Sequence, residues 1–126
     1  MPITYDIDVD RGMLIIEADG AVSQAERLDA MRAWRNDPRF RPGLQTLCNL
    51  SDTVSTPTLP ELAEIVDVIK QHAHLIGRKK LAIVTSQPAT FGVARQFGAM
   101  APASLLTVQV FRERDGALAW LKVPSA

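Results

Sequence analysis

The chain has 126 residues, of which 47% are hydrophobic and 22% are charged. We expect one domain spanning residues 1–126, and the single cysteine, Cys48, excludes an internal disulfide framework. Fourteen basic residues balance fourteen acidic ones, which argues against a domain that binds nucleic acid through a basic face. Because there is no signal-peptide pattern and no apolar run of about 20 residues, we expect a cytoplasmic protein without a transmembrane segment.

The first third of the chain predicts a hairpin followed by a helix. In residues 3–9 every second side chain is apolar, which is typical of a half-buried strand. A short "DRG" turn follows, and residues 13–18 predict the returning strand. Ser23 and Glu26 have the spacing of a capping box, so the first helix should begin there. It should end at the Asp-Pro pair at 37–38, because a residue before proline avoids helical geometry.

The rest of the chain alternates between short apolar segments and longer segments with a helical repeat. The first kind predicts buried strands and the second predicts amphipathic helices. The strands are expected at 44–50, 81–85 and 105–111, and the helices at 58–76, 86–101 and 115–121. The order β-β-α-β-α-β-α-β-α predicts an α/β domain with a mixed five-stranded sheet and about four helices.

The predicted helix 58–76 has an unusually wide apolar stripe. Ile65, Val68 and Leu75 extend the stripe to nearly half of the circumference, which is more than one sheet face usually covers. Its flank should therefore meet another helix, a partner or a ligand. His72 falls within this apolar arc, where a packed or surface histidine is more common than a ligand-binding one, and we expect no metal site.

Three short patterns occur in a characteristic order. Gly20 is followed by "DPRFRPG" at 37–43, a later helix carries "FGVARQF" at 91–97, and the chain closes with Phe111 and "ALAWL" at 117–121. This order resembles the bacterial SpoIIAA-like family of small stand-alone proteins, of STAS/CRAL-TRIO type. The resemblance covers essentially the whole chain and implies a SpoIIAA-like (STAS-like) fold.

The chain departs from the phospho-regulated STAS pattern. Those domains carry "D-S-S-G" before the helix that follows the central strand, whereas this chain reads "DTVSTPTLPE". Many relatives have Asp in an "L-x-D-L" segment where this chain has Asn49. Thr58 and Glu61 form a second capping-box pattern, which leaves Ser55 and Thr56 as candidate phosphorylation sites. The alternative for both is a loop or capping role.

Arg95 lies at the arginine position of the family pattern, one turn after Phe91. Its guanidinium could pair with a carboxylate such as Asp52 and lock the helix to a loop, or it could face a ligand. Asp52, Phe91 and Arg95 are therefore candidates for a ligand or partner surface, together with Ile65, Val68, His72 and Leu75.

Four arginines lie close in sequence near the end of the first predicted helix, beside Trp34 and Phe40. They are Arg32, Arg35, Arg39 and Arg41. One interpretation is a site for an anionic head group, and the other is a solvated face with cations near a helix C-terminus. We favour the second.

The leading functional hypothesis is a non-enzymatic protein-interaction or regulatory domain that forms a homodimer. The alternative is a carrier or sensor of a small apolar ligand, such as a lipid or fatty acid, in a CRAL-TRIO-like pocket. An enzyme is the weakest hypothesis, because no catalytic constellation is visible and no cofactor is implied. The first two differ in whether the wide apolar arc closes a dimer or covers a pocket.

Overall fold

The computed structural model describes residues 2–122. Five strands and five helices alternate along this part of the chain. The strands are β1 (Ile3–Asp8), β2 (Met13–Gly20), β3 (Gln45–Thr53), β4 (Lys79–Val84) and β5 (Leu106–Phe111). The helices are α1 (Gln24–Arg35), α2 (Leu59–Gln71), α3 (Ala73–Ile76), α4 (Pro88–Met100) and α5 (Arg114–Lys122). None of these helices is both long and apolar enough to cross a bilayer.

The strands form one sheet in the order β1-β2-β3-β4-β5. β1 and β2 pair antiparallel as the expected hairpin, and each later strand pairs parallel to the one before it. The prediction of a mixed five-stranded α/β sheet is therefore confirmed. A register shift between Glu17 and Asp19 interrupts the β2–β3 pairing where these strands approach their ends.

The two faces of the sheet are covered differently. On one face α5 packs its buried Ala117 and Leu121 against Met13, Leu47 and Ala82. On the other face α1, α2 and α4 supply the helical part of a larger cluster, which includes Met31, Leu62, Val66, Ala94 and Phe97. Side chains alternate between faces along a strand, so neighbouring residues such as Leu47 and Cys48 belong to different layers.

Both predicted capping boxes are confirmed. Ser23 accepts a hydrogen bond from the amide of Glu26 while the Glu26 carboxylate accepts from the amide of Ser23. Thr58 and Glu61 do the same at the start of α2. Each box satisfies two amides that a helix terminus otherwise leaves without a partner.

Several predicted boundaries were wrong. The helix expected over 58–76 is interrupted at His72, whose backbone (φ −114°, ψ 22°) ends α2 before the short α3 begins. β3 extends to Thr53, three residues beyond the expected end, because its later residues continue to pair with β2. β4 begins at Lys79 rather than residue 81, so Lys79 and Lys80 belong to a strand and not to a helix terminus.

Gly77 connects α3 to β4 in a conformation open to glycine alone. Its φ of 71° and ψ of 158° lie in a region that other residues avoid, and a Cβ there would lie 2.6 Å from the Gly43 nitrogen. The Gly43 amide also donates to the Ile76 carbonyl at 2.8 Å. This junction therefore fixes the α1–β3 connection against the start of β4.

We expect Gly77→Ala to lower the free energy of unfolding by about 2 kcal/mol or more, because it combines backbone strain with a steric overlap. Gly92→Ala is the matched control: Gly92 lies in α4 with open space around its Cβ position, and alanine should add up to about 1 kcal/mol. Urea unfolding of both variants measures the difference. Equal effects of the two substitutions would contradict the role given to Gly77.

Candidate functional site

A cavity of about 220 Å³ lies between the sheet and the helices α1, α2 and α4. Its walls are mainly aliphatic and aromatic. Each of the three helices contributes, with Met31 and Trp34 from α1, Leu62 and Ile65 from α2, and Val93 and Phe97 from α4. From the sheet come Ile16, Cys48, Leu50, Leu81 and Ile83, among others.

The cavity leaves some side chains of the central strands with exposed surface, although Thr46 and Ile83 on the same face are 2% and 5% exposed. On the α5 face, Leu47 and Ala82 are both 0% exposed. On the other face their neighbours Cys48 and Leu81 are only half-buried, although they lie in the middle of the sheet. A central strand side chain keeps exposed surface only where the layer above stands away from it, and here that layer is α1, α2 and α4.

The wall of the cavity extends along the central strands. Along β3 its wall runs from Thr46 to Thr53, a separation of seven residues, which at about 3.3 Å per residue is about 23 Å. On β4 the wall begins at Lys79 and includes Ile83. The cavity therefore follows the strands from the end where β4 begins toward the end where β3 finishes.

Three of the hydroxyl groups in the wall are bonded to the protein itself. Thr46 donates to the Leu44 carbonyl at 3.0 Å, and Thr53 donates to the Leu50 carbonyl at 2.9 Å. The Ser55 hydroxyl accepts from the Val22 amide at 2.9 Å and donates to the Val22 carbonyl at 3.3 Å. These three groups offer little further hydrogen bonding to an occupant. Thr56 and Thr90 also line the cavity, within a wall that is otherwise mainly apolar.

Three basic side chains also line the cavity. Arg27 bonds to Gln24 and lies 4.0 Å from the Glu61 carboxylate, and Arg35 donates to the Met31 carbonyl at 3.4 Å. Burial lowers the pKa of both arginines. The third basic side chain is Lys79.

Lys79 differs from the two arginines in its surroundings. Its ammonium lies 6.0 Å from the centre of the Phe40 ring, and no salt bridge among residues 2–122 includes it. Desolvation by the surrounding apolar atoms lowers its pKa to about 8. No Asp or Glu among the described residues lines the cavity.

The sequence-predicted surface residues separate into distinct places. Ile65, Ser55 and Thr56 line the cavity. Val68 packs against the core without lining the cavity, and Leu75 is 43% exposed. His72, at the end of α2, has its Nδ1 2.9 Å from the Val68 carbonyl, a local contact that leaves it outside the cavity.

Phe91 and Arg95 lie elsewhere, in a shallow groove where α4 meets β5. Arg112 stacks over the Phe91 ring at 4.5 Å. Asp52 is exposed on β3 beside Asp19 of β2, and within residues 2–122 no ion pair joins it to Arg95. The structure therefore does not bring these candidates into one site.

The four arginines near the end of α1 also separate. Arg39 bonds to Asp37 and Asp6, and Tyr5 donates to the same Asp37 at 2.8 Å, which together hold the pKa of that carboxyl well below its usual range. Arg32 pairs with Asp29 one turn earlier. Only Arg35 of this group reaches the cavity.

The sequence predicted that the helix ends at residue 76 and the strand begins at residue 81, so Lys79 was expected between them and its place in the cavity was missed. Once β4 begins at Lys79, period two puts Lys79 on the same face as Leu81 and Ile83. That alternation was the signal that could have found it. Cys48 is half-buried in the cavity wall, and burial raises the pKa of its thiol to about 12.

Comparison with known proteins bears on the fold alone. The chain is similar to the crystal structure of an uncharacterized protein of the DUF3478 family, with a SpoIIAA-like fold, from Shewanella loihica. The TM-score is 0.64 at 14% identity, covering 94% of this chain and 93% of that one. No protein-family model and no curated protein matches. The fold is SpoIIAA-like, as the sequence resemblance implied.

The lowered pKa of Lys79 predicts a pH-dependent stability. Lys79 is half-buried. Below about pH 8 folding partly desolvates its charged ammonium, whereas the unfolded chain keeps that proton up to the ordinary lysine pKa of 10.5. Stability should therefore rise with pH between these values, because the unfolded state then binds more protons. Lys79→Met removes the buried charge, so it should be more stable than the wild type at pH 7.

Urea unfolding from pH 7 to pH 9.5 measures this effect. The stability advantage of Lys79→Met should be largest at pH 7 and shrink toward pH 9.5 as the wild-type ammonium loses its proton. Lys70→Met, a change of equal charge at an exposed position on α2, is the control. An advantage for Lys79→Met that stays constant over this range would contradict the assignment.

Proposed function

We propose that this protein binds a small elongated apolar ligand in the cavity beneath α2, as a carrier or sensor rather than an enzyme. The observation that carries the proposal is the continuous apolar space along the central strands, where Cys48 and Leu81 retain exposed surface in the middle of the sheet. An open pocket beneath the wide apolar stripe of α2 favours a ligand-binding domain over an interaction domain whose stripe is closed in a dimer.

The size of the cavity supports an occupant. Protein interiors are close-packed, and voids much larger than one water molecule are few. The volume of about 220 Å³ is about seven times the ~30 Å³ that a water molecule takes up in the liquid. Empty apolar space of this kind costs stability, so a chain that fills it stabilises the folded state.

The shape and chemistry of the wall restrict the ligand class. Sugars and nucleotides need several free hydrogen-bonding groups, whereas the wall hydroxyls of Thr46, Thr53 and Ser55 are bonded to backbone. An apolar wall that extends along β3 from Thr46 to Thr53 suits a single alkyl chain better than a compact ring system. The proposal assigns no chemical step, and the high pKa of Cys48 keeps its thiol protonated at neutral pH.

The two tryptophans provide an internal reporter of binding. Trp34 lines the cavity, whereas Trp120 packs on Phe111 beneath α5 on the opposite face. In a Trp120→Phe background, emission therefore reports on the cavity wall. We expect the uncharged probe 1-decanol to change Trp34 emission in a saturable way.

Filling the cavity should prevent that binding. Cys48→Phe places a ring into the space, so the Trp34 signal should be lost while thermal unfolding stays cooperative. Cys48→Ala is the matched control, because it removes the thiol and leaves the space open. Binding that survives in Cys48→Phe, or that fails equally in both variants, would contradict the proposed cavity.

A different observation favours a second candidate, a protein-interaction or regulatory domain that forms a homodimer. Val54 is 76% exposed and Leu59 is 62% exposed, and both flank the loop between β3 and α2. Native mass spectrometry should then show twice the chain mass, and the double variant Val54→Ser and Leu59→Ser should return it to the monomer mass. A wild-type monomer at micromolar concentration would exclude this dimer.

A further inference from the structure

We infer that the ligand is a single-chain amphiphile with an anionic head group, and that its head lies against Lys79 while its tail extends along β3 and β4. This inference rests on the proposed function and adds the ligand's charge and its direction in the cavity. It is carried by the unequal distribution of polar groups between the two ends of the cavity.

The topology places Lys79 and Arg35 at one end. The strands β2 to β5 are parallel, and each connecting helix returns the chain to the edge where the next strand begins. Arg35 is the last residue of α1, and Lys79 is the first residue of β4. Both therefore lie near the end of the sheet at which the parallel strands begin.

Contacts between the connections support this placement. Phe40, in the connection from α1 to β3, lies 6.0 Å from the Lys79 ammonium. The same connection is bonded to the end of α3 through the Gly43 amide and the Ile76 carbonyl, 2.8 Å apart. Lys79 therefore lies beside the connection from α1 to β3, which is itself bonded to the end of α3.

The opposite end has a different chemistry. There the wall is formed by Thr53, Ser55, Thr56 and Pro57, where β3 ends and the chain turns toward α2. The hydroxyls of Thr53 and Ser55 are bonded to backbone. Arg27, at the start of α1, is also near this end, but Glu61 lies 4.0 Å away and offsets its charge.

The charge at the Lys79 end has no such counterpart in the wall. Arg35 adds a second positive charge there, bonded only to a backbone carbonyl, and no described carboxylate lines the cavity. A cation in apolar surroundings loses hydration that an aromatic ring at 6.0 Å restores only in part. An anionic head group would supply the missing partner, whereas a neutral head group of the same size would not.

Between the two ends the wall is suited to an alkyl tail. From Lys79 toward Ile83 the strands present Leu81, Cys48 and Leu50, and α2 covers them with Ile65 and Leu62. A chain with its head at Lys79 would contact apolar side chains over this whole distance. The reversed direction would bury the tail against two cations and place the anionic head where Glu61 already offsets the charge of Arg27.

The test compares decanoate with 1-decanol, which share a ten-carbon chain and differ in the head group. Both are titrated at pH 7 against Trp120→Phe protein, with Trp34 emission and calorimetry as readouts. Decanoate should bind Lys79→Met roughly 10-fold to 100-fold more weakly than the parent, the loss typical of a charge-assisted hydrogen bond. Decanol should bind both proteins within about 2-fold, because it has no charge to lose.

Two further variants separate charge from shape. Lys79→Arg keeps the cation and should retain most of the decanoate affinity. Lys70→Met changes the net charge equally at an exposed position outside the cavity wall, and should leave decanoate binding unchanged. Loss of decanoate binding in Lys70→Met would show a general charge effect and would overturn the inference.

The outcomes distinguish this inference from the proposed function. If both probes bind and Lys79→Met affects neither, the cavity holds apolar chains without recognising charge, and the inference is overturned while the proposed function stands. If neither probe binds the parent protein, the proposed function fails as well. Weaker binding of decanoate than of decanol to the parent would also overturn the inference.

Discussion

The separation between the helical layer and one face of the sheet is the constraint on which the rest of the structure depends. If α2 lay directly on the sheet, Cys48 and Leu81 would be fully buried, as Leu47 and Ala82 are on the opposite face. A hydrophobic helix facing apolar strands should close such a gap. Something must therefore hold the layer away from the strands.

Polar contacts at both ends of the helical layer supply that restraint. The Gln24 side-chain amide donates to the Glu61 carbonyl at 3.0 Å and to the Glu64 carboxylate at 2.9 Å, which ties the start of α1 to the start of α2. At the other end the Gly43–Ile76 hydrogen bond fixes where α3 stops. The start of α2 and the end of α3 are thus each tied to a neighbouring segment, which limits how far this part of the layer can move toward the sheet.

The sequence predicted the fold well because its signals were local. The hairpin alternation, both capping boxes and the five strands each depend on residues close in the chain, and all are confirmed. The cavity was not predictable in the same way, since the wide apolar stripe around Ile65 is compatible with a dimer, a second helix or an enclosed space. Which of these holds depends on where α2 stands relative to β3, and that distance is set by contacts between residues about 40 apart in the chain.

The position of Lys79 also could not be predicted from local sequence signals. Within "GRKKLAIV" the three cations look alike, and a helix C-terminus is a reasonable place for them. The strand begins two residues earlier than expected, and alternation then sends adjacent lysines to opposite faces. Lys80 donates to the Trp120 carbonyl at 3.0 Å and joins the α5 layer, while Lys79 enters the cavity. The register of β4 thus places one lysine in a satisfied structural contact and its neighbour in an apolar space that an anion would complete.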